Sequence, residues 1–389
     1  MSDHDKLEFS DRFVAEDLNE ATWVRLRSLT SSRMCERIIA KRAITLEPSL
    51  LAAKAAQTAW AVKSALGYWE SGRTSLNARV LSRYYALLQV SIAEQVAAPD
   101  SHSDLQEVQR YTESGHGLFT ITEPSGAFPY GYYVGCLSKG HFSEYAKHRG
   151  IDLSEAEFGG RPKEFPTTKP DQIARLVSLD KVLARIPELQ NMIDDYLGVA
   201  PLSFHMAYDS SRNLGGRFSQ LNPLTAIPTE AASETFSFVC TYPPSERVTL
   251  EYLKTLNLPF TDIELIESET AFDRPRFSGK LSHPVGKFWH QCVDLYKSGY
   301  SGTSYIVPLW DRIRDPMLLH FVILYALSIV VRYLPALWHE IEDGELDHLR
   351  ALIEHYLVVV DNVLPRLAIE SITGRRFIVV HSGSLQGPV

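Results

Sequence analysis

Near its C-terminal end the chain holds 21 residues, Leu318 to Trp338 (LLHFVILYALSIVVRYLPALW), whose apolarity limits what the whole can fold into. The charge-free centre from Phe321 to Val331 is about half of the ~20 residues that a bilayer span needs. His320, Arg332 and Pro335 punctuate the segment. It therefore reads as a buried helix of a globular body, not a transmembrane segment, and the rest of the chain has to supply its cover.

The cover is legible on both sides. Glu47-Pro48 opens an Ala-rich helical stretch that Gly72 closes, the usual placing of Pro in a first turn and Gly past an end. A second helix is expected from Ser75 to just before Pro99, with Leu81, Tyr84, Tyr85, Leu88, Ile92 and Val96 as one apolar stripe. The short SGRTS link makes the two an antiparallel hairpin. Downstream, Asp315-Pro316 starts the apolar helix and Pro335 has to kink or restart it near Tyr333-Leu334. A last helix is expected from Glu345, with its apolar face running from Leu346 to Leu364, a kink at Pro365 and its end at Gly374.

Between these ends the pattern changes. Glycines at 115, 117, 126, 131, 135 and 140 interrupt short aromatic and β-branched runs, which favours hairpins or loops. Phe158 to Pro170 is dense in Gly, Pro and charge and reads as an exposed loop, whereas Asp171 to Leu197 returns to helical spacing, broken at Pro187. Glu234 to Tyr242 alternates as a strand, and Phe260–Ile266 and Thr303–Val307 are weaker strands. The expected class is α+β: a mainly helical body from the N- and C-terminal segments, with a smaller β-containing insertion. At about 150 residues per domain, 389 residues suit two or three regions, placed at 1–110, 111–287 and 288–389.

A net charge of −8 gives no overall pull towards nucleic acid or anionic lipid, so any such contact needs a local patch. The patch on offer is at 25–42, where Arg33, Arg37 and Lys41 share one helical face; it could hold lipid or RNA phosphate or be a solvated face. Cys35, Cys136, Cys240 and Cys292 form no CxxC pair, which fits free thiols in a reducing cytoplasm and no zinc. The acidic N-terminus is not an export signal.

Three motifs in order carry a resemblance. They are the Tyr84-Tyr85 helix (SRYYALLQVSIAE), the HGLF of His116, Gly117, Leu118 and Phe119, and Leu327, Ser328, Arg332, Tyr333 and Trp338 in LSxxxRYxxxxW. From about residue 20 to 372 the chain resembles the YaaC-like family of bacterial proteins. The resemblance brings no established catalytic residue and no cofactor. Relatives include the sensor component of a two-gene defence system against jumbo phages, which detects an early infection structure and recruits a second protein. It thus implies a non-catalytic, cytoplasmic sensor or adaptor with a phage-derived trigger and a protein partner, an analogy that family membership alone does not fix.

The residues also allow another class. Many helical defence proteins are HEPN-type ribonucleases, marked by Arg, four to six residues, then His. Arg332 with His339 and Arg314 with His320 fit, but so do Arg110 with His116 and Arg375 with His381, so the spacing selects nothing. Arg332 in an apolar helix needs partners: it is either a phosphate or ligand clamp, or ties the helix end to a carboxylate while Tyr333 and Trp338 pack the core. His116 between two glycines is either displayed for chemistry or held in a structural turn. No GxSxG, P-loop, GxGxxG or HExxH occurs. Tyr130, Tyr132 and Tyr133, beside turn glycines, are candidate interface residues or fill a sheet face.

Overall fold

The computed structural model describes residues 10–42, 46–72, 74–99, 104–213, 234–267, 274–298 and 302–380. Residues 1–9 of the segment read for export, Arg73 of the expected interhelical turn and His381 lie outside them. The fold is α+β and mainly helical, and the chain divides into two units: Met1–Leu179 with Met317–Val389, and Asp180–Pro316.

The first unit begins with β1 (Ser10–Val14), α1 (Leu18–Ser28) and α2 (Ser32–Arg42), followed by the long pair α3 (Pro48–Ser71) and α4 (Leu76–Ala97). Pro48 occupies the first turn of α3, and the Ser75 hydroxyl caps α4 by accepting from the Ala78 N–H at 3.2 Å. Gly72 is needed for close approach, since a Cβ there would collide with the Ser82 side chain. α4 differs from the expected single stripe. Arg83, Ser91, Glu94 and Gln95 are buried along with its apolar residues, because it is covered on several sides and its polar groups find partners there.

Next come α5 (Leu105–Glu113), β2 (Leu118–Thr122), β3 (Tyr132–Leu137), α6 (His141–His148), β4 (Glu157–Phe158), α7 (Pro170–Ile173) and β5 (Val177–Ser178). β2 and β3 pair antiparallel, as the glycine-bounded runs suggested, and β4 and β5 also pair with β3. Phe119, Ile121, Phe158 and Leu176 form the core of this sheet. The helix expected over 171–197 is broken into short pieces, since Val177 and Ser178 spend their backbone on β3.

The second unit carries α8 (Leu179–Leu183, starting at the boundary), α9 (Gln190–Leu197), β6 (Ser203–His205), β7 (Ala207–Tyr208), β8 (Glu234–Thr241), α10 (Leu250–Thr255), β9 (Thr261–Ile266), β10 (Arg276–Pro284), β11 (Tyr296–Ser298) and β12 (Gly302–Ile306). Its strands make two sheets, β7-β8-β10-β9 and β11-β12-β6, around Phe204, Val239, Leu253, Phe277, Leu281 and Tyr305.

The chain then returns to the first unit through α11 (Pro316–Tyr333), α12 (Pro335–Asp343), α13 (Asp347–Thr373) and β13 (Arg376–Val380), which pairs parallel with β1. Pro335 does not kink α11 but opens α12. α11 is apolar enough to cross a membrane by length and composition, yet 72% of it is buried inside the protein. The boundaries expected at 110/111 and 287/288 thus fall at 179/180 and 316/317. The β2–β3 hairpin belongs with the helices because its Tyr132 hydroxyl donates to the Ala326 carbonyl of α11 at 3.3 Å and Tyr325 donates to Leu118 O at 2.8 Å.

Candidate functional site

Within the first unit, residues more than two hundred positions apart meet around α4. Tyr84 is fully buried, and its hydroxyl lies 2.8 Å from Nδ1 of His116. The tautomer with the His116 proton on Nε2 is the one that lets Tyr84 donate to Nδ1 and gives this buried hydroxyl an acceptor among the described residues. Burial and then the positive charge of Arg332 hold His116 below the usual histidine range, so the ring is neutral. Burial likewise drives the Tyr84 hydroxyl far above its ordinary range.

The turn that presents His116 depends on two glycines. Gly117 has φ +79° and Gly140 φ +120°, and a Cβ on either would press into the backbone of the other's segment. Their contact lets the first turn of α6 reach over: the Phe142 N–H donates to His116 O at 2.9 Å and the His141 N–H to Gly115 O at 2.9 Å. The backbone of His116 is thereby fixed while its Nε2 has no partner among the described residues.

Arg332 sits in the last turn of α11. Its Nε donates to Ser328 O at 3.0 Å, Nη2 to Ser328 Oγ at 3.1 Å and Nη1 to the Tyr85 hydroxyl at 3.4 Å, and the guanidinium lies 5.1 Å from the centre of the Tyr333 ring. These are neutral oxygens and a π face. The carboxylate tie that the sequence suggested is not formed among the described residues; the guanidinium is partly exposed, so solvent and neutral oxygens serve it instead. Around it the rings form a continuous wall: Tyr68 stacks on Tyr85 (5.4 Å), Tyr85 meets Tyr84 (5.3 Å), and Tyr84 meets His116 (5.7 Å) and Tyr325 (6.0 Å).

A profile of the YaaC-like protein family matches residues 27–372. The chain belongs to the YaaC-like family. No curated protein and no solved structure matches it. The YaaC-like segments around Tyr84, His116 and Arg332 all lie in the matched span, and this wall is where they meet.

Two of the YaaC-like signature residues behave differently from each other. Trp338 is buried and donates from Nε1 to Asn77 Oδ1, fastening α12 to the start of α4. Tyr333, expected in the core, is 64% exposed, because α11 ends there and the ring covers only the Arg332 guanidinium.

The structure does not assemble the Arg/His pairs of the ribonuclease reading. His339 is exposed and is not among the partners of Arg332. His320 is fully buried, bonded at 3.1 Å to the Tyr356 hydroxyl and pushed down to about 3 by burial. Arg314 lies in the other unit against Tyr305, at 3.3 Å from its hydroxyl. Among the tyrosines proposed for an interface, Tyr130 is exposed, but Tyr132 is buried and Tyr133 packs on Phe165; the hairpin register turns Tyr132 inward. Arg33, Arg37 and Lys41 are exposed on α2 and have no acidic partner among the described residues.

Sequence reasoning missed a polar file on the same helix. Ser91 donates to Leu88 O at 2.7 Å and accepts from His141 Nε2 at 2.7 Å, leaving the His141 Nδ1 a buried acceptor without a partner. Glu94 accepts from the Tyr145 hydroxyl at 2.6 Å and pairs with Arg149. Polar residues recurring at 84, 91 and 94 in an apolar helix were the available signal. The second unit has a cavity of about 660 Å³ beside β9; of the cations that line it, Arg212 and Lys280 pair with Glu264 and Asp262, each at 3.1 Å, and Lys254 is exposed. Among the described residues no group of three or more His, Cys, Asp or Glu could hold a metal ion, and all four cysteines are free thiols.

Proposed function

We propose that this YaaC-like protein is a non-catalytic sensor or adaptor of a bacterial antiviral defence system, recognising a phage-derived trigger in the cytoplasm and acting through a second protein of that system. The observation that supports it is the Arg332 niche. Its groups are hydrogen-bond donors and one cation set among aromatic rings, equipment for holding a ligand. Tyr84 occupies Nδ1 of His116, so in the tautomer that gives Tyr84 an acceptor the remaining ring nitrogen is an N–H donor, close enough to Arg332 to feel its charge. The defence role itself comes by analogy with family relatives. On this reading the face of Arg33, Arg37 and Lys41 serves as an accessory contact for anionic lipid or RNA.

The test is a phage challenge of cells carrying this gene with and without its genomic neighbour. Protection that needs both, together with RNA left intact by the purified chain, supports the adaptor. RNA cleavage that disappears in His339→Ala or His320→Ala, with folding unchanged, overturns it in favour of the ribonuclease.

A further inference from the structure

The donors around Arg332 can be counted. A guanidinium offers five N–H groups, and three are used on Ser328 O, Ser328 Oγ and Tyr85. Two remain without an acceptor among the described residues. Among the described residues the Tyr85 hydroxyl accepts from Arg332 and has no acceptor of its own, and Nε2 of His116 has no partner. No carboxylate among the described residues pairs with Arg332. The surplus is one-sided: N–H and O–H donors and a positive charge, with no matching acceptors.

What complements such a niche is an oxyanion with several acceptor oxygens, and the Arg fork suits phosphate geometry. The surroundings add a second requirement. Tyr333, 64% exposed, lies 5.1 Å from the Arg332 guanidinium, and Tyr68, 38% exposed, stacks on Tyr85, so exposed aromatic surface adjoins the niche. Free aromatic faces next to an arginine favour a ligand with a planar ring, because a base stacks on them at little entropic cost. In the cavity of the second unit, by contrast, Arg212 and Lys280 are already paired with carboxylates.

We propose that the niche formed by Arg332, Tyr85, His116 and Tyr333 binds the phosphate group of a nucleoside phosphate, whose base lies against an exposed tyrosine. This deepens the recognition-site reading given above and rests on it. No covalent step is involved. Arg332 and Tyr85 would hold the phosphate, His116 would donate from Nε2, and the base would stack on the exposed Tyr333 ring, which takes no part in holding the phosphate.

The experiment is calorimetric titration of the full chain with AMP, ATP, adenosine, inorganic phosphate and a ten-residue single-stranded RNA. A nucleotide should bind at least about tenfold more tightly than adenosine and than inorganic phosphate, the factor expected for a charge-assisted phosphate contact and a stacked base together. Arg332→Gln should abolish nucleotide binding and Arg332→Lys should weaken it. Tyr333→Ala touches nothing in the core, so it should keep the melting temperature and weaken nucleotide binding while leaving inorganic phosphate unchanged. The NMR signal of His116 should move on adding nucleotide. No nucleotide binding at millimolar concentration, binding indifferent to Arg332→Gln and Tyr333→Ala, phosphate binding as tight as AMP, or RNA binding without free nucleotide would each overturn the proposal. The adaptor reading fails separately: loss of neighbour-dependent protection sinks it whether or not AMP binds, and protection that persists in Tyr333→Ala leaves it standing without the nucleotide.

Discussion

Arg83 and Asp361, 278 positions apart, form a two-pronged ion pair at 2.7 and 2.9 Å between α4 and α13. The same carboxylate accepts the indole N–H of Trp69 on α3 at 2.8 Å, while Arg83 also donates to Trp69 O at 2.9 Å. Three helices from the two ends of the chain are thus fixed through one aspartate, in a place where Arg83 has almost no access to water.

Asp361→Ala should accordingly lower stability by about 3 kcal/mol, because it leaves a buried guanidinium and an indole N–H without their acceptor. Urea unfolding of this variant, Arg83→Leu and the double variant gives the coupling. A double variant as unstable as the sum of the singles would show that the pair does not act as a unit.

Gly117→Ala and Gly115→Ala separate backbone strain from steric conflict. Both glycines have positive φ, +79° and +97°, but a Cβ at 117 would lie 2.9 Å from Phe142 N whereas one at 115 meets nothing within 4 Å. Gly115→Ala should cost roughly 1 kcal/mol, the conformational price alone, and Gly117→Ala about 2–3 kcal/mol with loss of the Tyr84–His116 bond. Equal thermal shifts for the two would remove the packing argument.

Much of the first unit was legible because single residues punctuate it. Pro48, Gly72 and Ser75 delimit the α3–α4 pair, and Pro316, Pro335 and Gly374 bound the C-terminal helices. Strand β10 was not, since RFSGKLSHP mixes a glycine, a proline and small polar residues; its identity comes from pairing with β8 on one side and β9 on the other. The motifs around Tyr84, His116 and Arg332 could be seen in order, but their meeting could not. A spacing of 247 residues between Tyr85 and Arg332 carries no geometry until the helices pack. Nor could the sequence show that Arg332 lacks a carboxylate, because that depends on which neighbours tertiary packing brings.

Acid should weaken the fold through His141 and His320. Burial pushes both down to about 3, against an ordinary 6.5. Below 6.5 the unfolded chain takes up protons that the folded one refuses, so the folded state loses ground as pH falls and the loss is complete once pH passes the folded value. Each histidine contributes a slope of about 1.4 kcal/mol per pH unit in the window from about 6 down to about 3. Urea midpoints between pH 7 and pH 4.5 should show this fall, and His320→Gln should flatten it by one histidine's share. An unchanged slope in that variant would mean that His320 titrates normally in the folded protein.

The tyrosines of the β2–β3 hairpin give opposite expectations. Replacing Tyr130 and Tyr132 together cannot leave the fold intact, since Tyr132 is 2% exposed and bonds to Ala326 O, whereas Tyr130 is 42% exposed. Tyr132→Ser should lower stability by about 3–5 kcal/mol, the cost of a large-to-small change in a packed core with the loss of one buried hydrogen bond. Tyr130→Ser should stay within about 0.5 kcal/mol of wild type. Tyr130→Ser is therefore the variant that can ask whether this hairpin meets a partner, with thermal melts of both single variants as the control. A Tyr132→Ser protein as stable as wild type would place that ring outside the core and return it to the candidate interface.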